Sequence, residues 1–123
     1  MNVVYDAGAL IAAERGDRAF WADHRVRLEQ GVLPAVPAAV IAQVSRSARQ
    51  VPLRRLLRGC DTAVLDEHGA YRAGALLAAA RTSDVVDATV VETALARNAL
   101  IVTSDRSDVE RLLGGAAVPI VDV

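Results

Sequence analysis

Five short apolar runs are spaced along the chain, and each gap between them is long enough for one or two helices. The runs are Asn2-Val3-Val4-Tyr5, Val32 to Val36, Thr62 to Leu65, Ala99 to Thr103 and Val118 to Val121. None shows the alternation of polar and apolar residues that a strand with one wet face requires. Continuous apolar runs suit parallel strands covered on both sides. The punctuation between them is helical. Ala7 to Glu14 follows the first run directly, and Asp17 caps a second stretch, Arg18 to Gln30, ended by Gly31. Pro37 stands at the first turn of a third helix reaching about Arg46, and Pro52 opens a fourth, closed by Gly59. Asp66 or Glu67 starts a helix through about Arg81, Thr82-Ser83-Asp84 caps a long one to Asn98, and a last runs from Ser107 to Leu113 before Gly114-Gly115. Strand and helix alternate over all 123 residues. This predicts a single α/β domain, residues 1–123, built as a three-layer α/β/α sandwich with a short, mostly parallel sheet and right-handed crossovers.

What the chain lacks narrows its chemistry. All 14 basic residues are Arg and none is Lys. A P-loop needs its Lys on the phosphates, and a Schiff-base enzyme needs a Lys amine. A phosphotransfer domain on a similar sheet fits poorly too, because Asp6-Ala7-Gly8 has no second Asp two positions on. His24 and His68 have no Ser or Cys partner in a recognisable motif, which disfavours a Ser-His-Asp hydrolase. The single Cys60 excludes an internal disulfide and a multi-Cys zinc site, and suits a reducing compartment. No apolar run approaches the ~20 residues of a membrane span, and no basic flank precedes the apolar N-terminus. The expectation is a cytoplasmic protein without membrane contact.

The acids are placed with more order than the bases. Ten of the 15 are Asp. Asp6 follows the first strand and Asp105 the fourth, so both are delivered to the carboxyl edge of a parallel sheet, where ligands bind. Asp84 and Asp87 lie three apart at the start of a long helix and share a face. Asp108 lies three beyond Asp105, also at a helix start. Taken alone, Asp84 and Asp108 read as an N-cap and a first-turn acid facing the helix dipole. Asp6 and Asp87 do not, because each is embedded in apolar sequence, where an unpaired carboxylate is costly. Clustered carboxylates raise one another's pKa. A divalent cation relieves that repulsion, and an all-oxygen donor set points to Mg²⁺ or Mn²⁺ rather than Zn²⁺. Such a site suits phosphodiester cleavage.

Four segments together resemble the PIN-domain family, VapC-like toxin ribonucleases in particular: Val3-Val4-Tyr5-Asp6-Ala7-Gly8-Ala9-Leu10, Val36 to Val44, Val86-Asp87-Ala88, and Ile101-Val102-Thr103-Ser104-Asp105. Their order and spacing match over essentially the whole chain. The resemblance implies a Mg²⁺-dependent endoribonuclease with an acidic site at Asp6, Asp87 and Asp105, and a further contribution from Asp108. It also implies a homodimer and a small antitoxin partner. One departure stands out: the family's Glu on the third helix is Gln43 here, with no substitute acid beside it. A Gln carbonyl accepts a hydrogen bond but carries no charge. Asp84, one turn before Asp87, is the candidate to fill that vacancy. The alternative is a PIN-fold protein that binds RNA or a partner and cleaves weakly.

Arg46, Arg49, Arg54, Arg55 and Arg58 fall within thirteen residues. They read as a phosphate track for RNA or as a solvated helix face. Phe20-Trp21 with Leu10-Ile11 reads as core packing between the first two helices, or as an apolar groove for a partner.

Overall fold

The computed structural model describes residues 1–123. Its elements follow in the order β1 (Asn2–Tyr5), α1 (Ala7–Glu14), α2 (Arg18–Glu29), β2 (Ala35–Pro37), α3 (Ala38–Val44), α4 (Val51–Arg58), β3 (Asp61–Ala63), α5 (Glu67–Ala80), α6 (Val85–Arg97), β4 (Ala99–Thr103), α7 (Arg106–Leu113) and β5 (Ile120–Asp122). The five strands form one sheet in the order β3-β2-β1-β4-β5, and every pairing is parallel.

Local sequence accounts for most boundaries. Asp6, Asp17, Asp66 and Asp84 each cap a helix, their carboxylates accepting backbone N–H groups of the first turn. Gly114 closes α7 at φ 57°, the left-handed conformation in which a helix commonly ends. Three strands are displaced from their expected positions. β2 begins at Ala35 rather than Val32 and includes Pro37, which serves as the N-cap of α3 instead of its first-turn residue. β3 spans Asp61–Ala63, not Thr62–Leu65. Its neighbour β2 ends at Pro37, opposite Ala63, so Val64 and Leu65 have no strand to pair with and are exposed. β5 is shifted to Ile120–Asp122. The apolar runs were expected to be covered on both faces. β1 and β4 are, whereas the short edge strands β3 and β5 are largely exposed.

α1 packs against α2, α3 and α4. On the other side α6 lies on β1, β2 and β4, flanked by α5 and α7. The run from Asp87 to Ala94 on α6 is buried throughout, which explains its small Ala, Val and Thr residues. Thr89 and Thr93 return their hydroxyls to the carbonyls of Val86 and Thr89. A 24-residue apolar cluster joins the layers, with Val4, Tyr5, Leu10, Val36, Val90 and Ile101 fully enclosed. Phe20 belongs to it, Trp21 lies half-buried at its edge, and Ile11 is exposed. No helix is long and apolar enough to cross a membrane.

Candidate active site

The order of the strands reverses between β1 and β4. The chain winds from β1 through β2 to β3 on one side, then returns to place β4 and β5 on the other. In an open parallel sheet the crevice at that reversal, outside the carboxyl ends of the strands, is where ligands bind. Asp6 is the first residue after β1, and Asp105 lies two residues after β4 ends at Thr103. The register holds them side by side: Tyr5 pairs with Val102, and the Asp6 N–H donates to the Val102 carbonyl at 3.0 Å.

Asp6 is fixed from two directions. The Ala7 N–H donates to Oδ1 at 2.6 Å and the Thr103 hydroxyl donates to Oδ2 at 2.6 Å. The same Thr103 oxygen accepts the Asp105 N–H at 2.9 Å, so one hydroxyl ties the two acid-bearing corners together. Thr103 is fully buried. The sequence carries no separate signal for it: it closes β4, where a Thr is ordinary, and only the fold brings its hydroxyl between Asp6 and the Asp105 N–H. Gly8 completes the fit. A Cβ on it would overlap the Ser104 Oγ and stand 2.7 Å from Ser104 Cβ and 2.9 Å from Ser104 N, so only Gly lets α1 approach the β4–α7 corner.

The other acids arrive from α6 and α7. Asp84 caps α6, accepting the Asp87 N–H at 3.0 Å, while its side chain remains exposed. Asp87 is buried at 9% exposure. Asp105 occupies the N-cap position of α7 but makes no side-chain capping bond, and its carboxylate is exposed. Asp108 sits exposed in the first turn of α7. These five form one electrostatic group. Burial pushes the Asp87 carboxyl up to about 7, helped by the charges of Asp84, Asp6, Asp105 and Asp108. Asp6 is raised as well, chiefly by burial, with its two hydrogen bonds opposing and Asp105 and Asp84 adding repulsion. No arginine forms a salt bridge or hydrogen bond with any of the five.

Oxygen donors, net negative charge and the lack of a protein counter-ion fit a hard divalent cation. In the arrangement seen, no three His, Cys, Asp or Glu side chains are close enough to hold one ion. Gln43 stands on α3, which packs against α1 and α6; its side chain is exposed and bonds to nothing. Arg49, Arg54, Arg55 and Arg58 are exposed on α4 and the segment before it, and Arg46 turns its guanidinium back onto the carbonyls of Ala42 and Ser45.

No protein-family model matches the sequence, and no curated protein does. The structure, in contrast, has clear neighbours. It superposes on a chain of VapBC2 from Rickettsia felis bound to a DNA fragment from its promoter, with a TM-score of 0.75, 14% identity, and 99% of this chain and 98% of that chain covered. A toxin–antitoxin complex from Klebsiella pneumoniae gives a TM-score of 0.72 at 18% identity, over 97% and 95% of the two chains. VapBC-1 from nontypeable Haemophilus influenzae gives 0.72 at 15% identity, over 99% and 98%. At such identities the likeness is one of fold: the chain has the PIN-like α/β/α architecture that its four segments resemble.

Proposed function

We propose that this protein is a Mg²⁺- or Mn²⁺-dependent endoribonuclease and the toxin of a bacterial toxin–antitoxin pair. The observation that carries the reading is the group of five carboxylates at the sheet's reversal point, two of them buried and none paired with an arginine. Charge held in this way needs protons or a cation. The structural neighbours support the second half, since the Klebsiella protein is itself in a toxin–antitoxin complex. An antitoxin partner, a homodimer and a cytoplasmic RNA substrate belong to the same proposal.

Asp6, Asp87 and Asp105 would hold the cation, with Asp84 and Asp108 at its margin. A bound divalent ion supplies Lewis acidity for a phosphodiester and lowers the pKa of a bound water. The chain's own residues supply position. Ala7 N–H and the Thr103 hydroxyl keep Asp6 in one orientation, and the same hydroxyl sets the start of α7, from which Asp105 projects. Without the cation, burial and the neighbouring carboxylates push the Asp87 carboxyl up to about 7, so a proton and the cation would compete for it.

A second reading has its own support: Gln43 stands where a Glu was expected, and the carboxylates do not close around an ion. It is a PIN-fold protein that binds RNA or a partner and cleaves weakly. One assay separates the two. RNA should be cut by the purified protein with Mg²⁺ or Mn²⁺ and left intact with chelator. Asp6→Asn, Asp87→Asn and Asp105→Asn should each abolish cleavage while circular dichroism stays unchanged. Binding of RNA with no metal-dependent cutting would favour the second reading, and full cleavage by any one variant would remove that residue from the site.

A further inference from the structure

Seven of the 14 arginines hold a carboxylate, carbonyl or hydroxyl oxygen, among them Arg72 on Glu92, Arg97 on Asp61 and Arg106 on Asp122. The other seven hold none. Six of these, Arg18, Arg25, Arg49, Arg54, Arg55 and Arg58, lie on α2, on α4 or just before α4. The unneutralised charge is therefore gathered on one side of the molecule. That side also holds a cavity of about 810 Å³ between α2 and α4. Arg18, Arg25 and Arg55 line it, and no acidic side chain does. Its walls include Trp21, Val26 and Leu28. The Arg55 guanidinium lies over the Trp21 indole, 4.8 Å from the ring centroid.

The inner end of the cavity carries an oriented donor. Arg27 Nη1 donates to the Tyr5 hydroxyl oxygen at 3.2 Å, which leaves the Tyr5 O–H to donate to His24 Nδ1 at 2.8 Å. Burial and the nearby Arg27 both hold His24 toward its neutral form. The ring proton then sits on Nε2, toward Gly59, whose added Cβ would be 3.7 Å from that nitrogen. His24 and Gly59 both line the cavity.

We propose that this cavity, which none of the five carboxylates lines, is a second RNA site that takes one unpaired nucleotide of a single strand. Its base stacks at Trp21 and Arg55, and its phosphates are held by Arg18 and Arg25. Guanidinium planes and aromatic rings are the surfaces on which unpaired bases stack. A fixed N–H donor suits a base edge or phosphate oxygen. Charge and stacking together favour a nucleic acid over an acidic peptide: three arginines and no acid line the cavity, and Trp21 with the Arg55 guanidinium offers the planar surface that a base uses. The proposal rests on the ribonuclease reading for its choice of RNA.

Trp21 is the only tryptophan, so its emission reports on the cavity alone. The test titrates fluorescein-labelled single-stranded oligoadenylate into the full protein in chelator, following Trp21 emission and fluorophore anisotropy together. The expected result is quenching that saturates in step with anisotropy. Gly59→Leu, which fills the cavity from a position with a negative φ where an added Cβ meets nothing nearer than 3.5 Å, should weaken binding about tenfold. Should that variant not fold, Arg18→Gln with Arg25→Gln carries the test on exposed positions. It should weaken binding similarly and flatten the salt slope by about 1.4, or 0.7 per lost phosphate contact. Unchanged affinity in these variants, with loss only in Arg54→Gln/Arg58→Gln, would overturn the cavity proposal and leave the ribonuclease reading standing. No RNA binding by the unaltered protein would overturn both. Quenching by an oligoglutamate peptide but not by RNA would overturn the proposal in favour of a peptide site.

Discussion

Asp87 is the residue at which the acid cluster's electrostatics become measurable. Its ordinary pKa is 3.8 and in the fold it rises to about 7, through burial first and neighbouring carboxylates second. Across that window the folded chain keeps a proton that the unfolded chain has released. Stability from this group is therefore full below about pH 4 and is lost as pH climbs toward 7, at up to about 1.4 kcal/mol per pH unit. In chelator, the melting temperature should fall between pH 5 and pH 7.5. Asp87→Asn should remove much of that fall and melt higher at pH 7.5, whereas identical pH profiles would show that Asp87 is already ionised. Gln43 and Asp84 form the second residue-scale question. Isothermal titration of Mn²⁺ should show Gln43→Glu binding more tightly than the parent. Asp84→Asn should weaken binding only where Gln43 is kept, because Asn replaces Asp well as an N-cap but poorly as a ligand. Equal affinity in all four combinations would mean that neither side chain reaches the metal. The acids themselves were legible in the sequence because Asp6 and Asp87 interrupt apolar runs. Thr103 was not, since a Thr ending a strand is ordinary there and only the fold shows both of its hydrogen bonds.

Elements were legible where a cap or a long apolar run marks them. Asp17, Asp66 and Asp84 announce α2, α5 and α6, and the caps are present as bonds to Phe20, Gly69 and Asp87. Edge strands were less legible because pairing, not apolarity, decides where they start and stop. Val64 and Leu65 are as strand-like as Thr62, yet β2 has already ended. The contact of α1 with the β4–α7 corner is likewise tertiary: nothing in Asp6-Ala7-Gly8 states that Ser104 will press against Gly8. Gly8→Ala tests that contact. Alanine is the better helix former by about 1 kcal/mol, but its Cβ meets Ser104 backbone as well as side chain. The variant should lose about 1–3 kcal/mol by overpacking. Cleavage should fall further than stability does, because the displaced corner carries Asp105 while α1 carries Asp6. Denaturant unfolding beside a cleavage assay measures both. A stabilised and fully active variant would show that α1 has room to shift.

At the scale of the whole molecule, the parallel architecture followed from the alternation of strand and helix, but the strand order did not. That order decides the site, since Asp6 and Asp105 meet only because β4 returns to pair with β1 after a crossover spanning α5 and α6. The cluster thus joins β1, β4, α6 and α7, and its repulsion acts on the packing of all four. A cation that binds there should stabilise the entire fold, both by mass action and by neutralising that repulsion. Mn²⁺ at a hundredfold excess over its Kd should add about 2.7 kcal/mol, a rise of roughly 10 °C for a domain of this size. The increment should be larger at pH 8 than at pH 5.5, because below about 7 a proton on Asp87 competes with the metal. Chelator should reverse it, and Asp6→Asn should reduce it despite a higher melting temperature without metal. A rise of equal size in Asp6→Asn, Asp87→Asn and the parent would place the stabilising ion elsewhere on the surface.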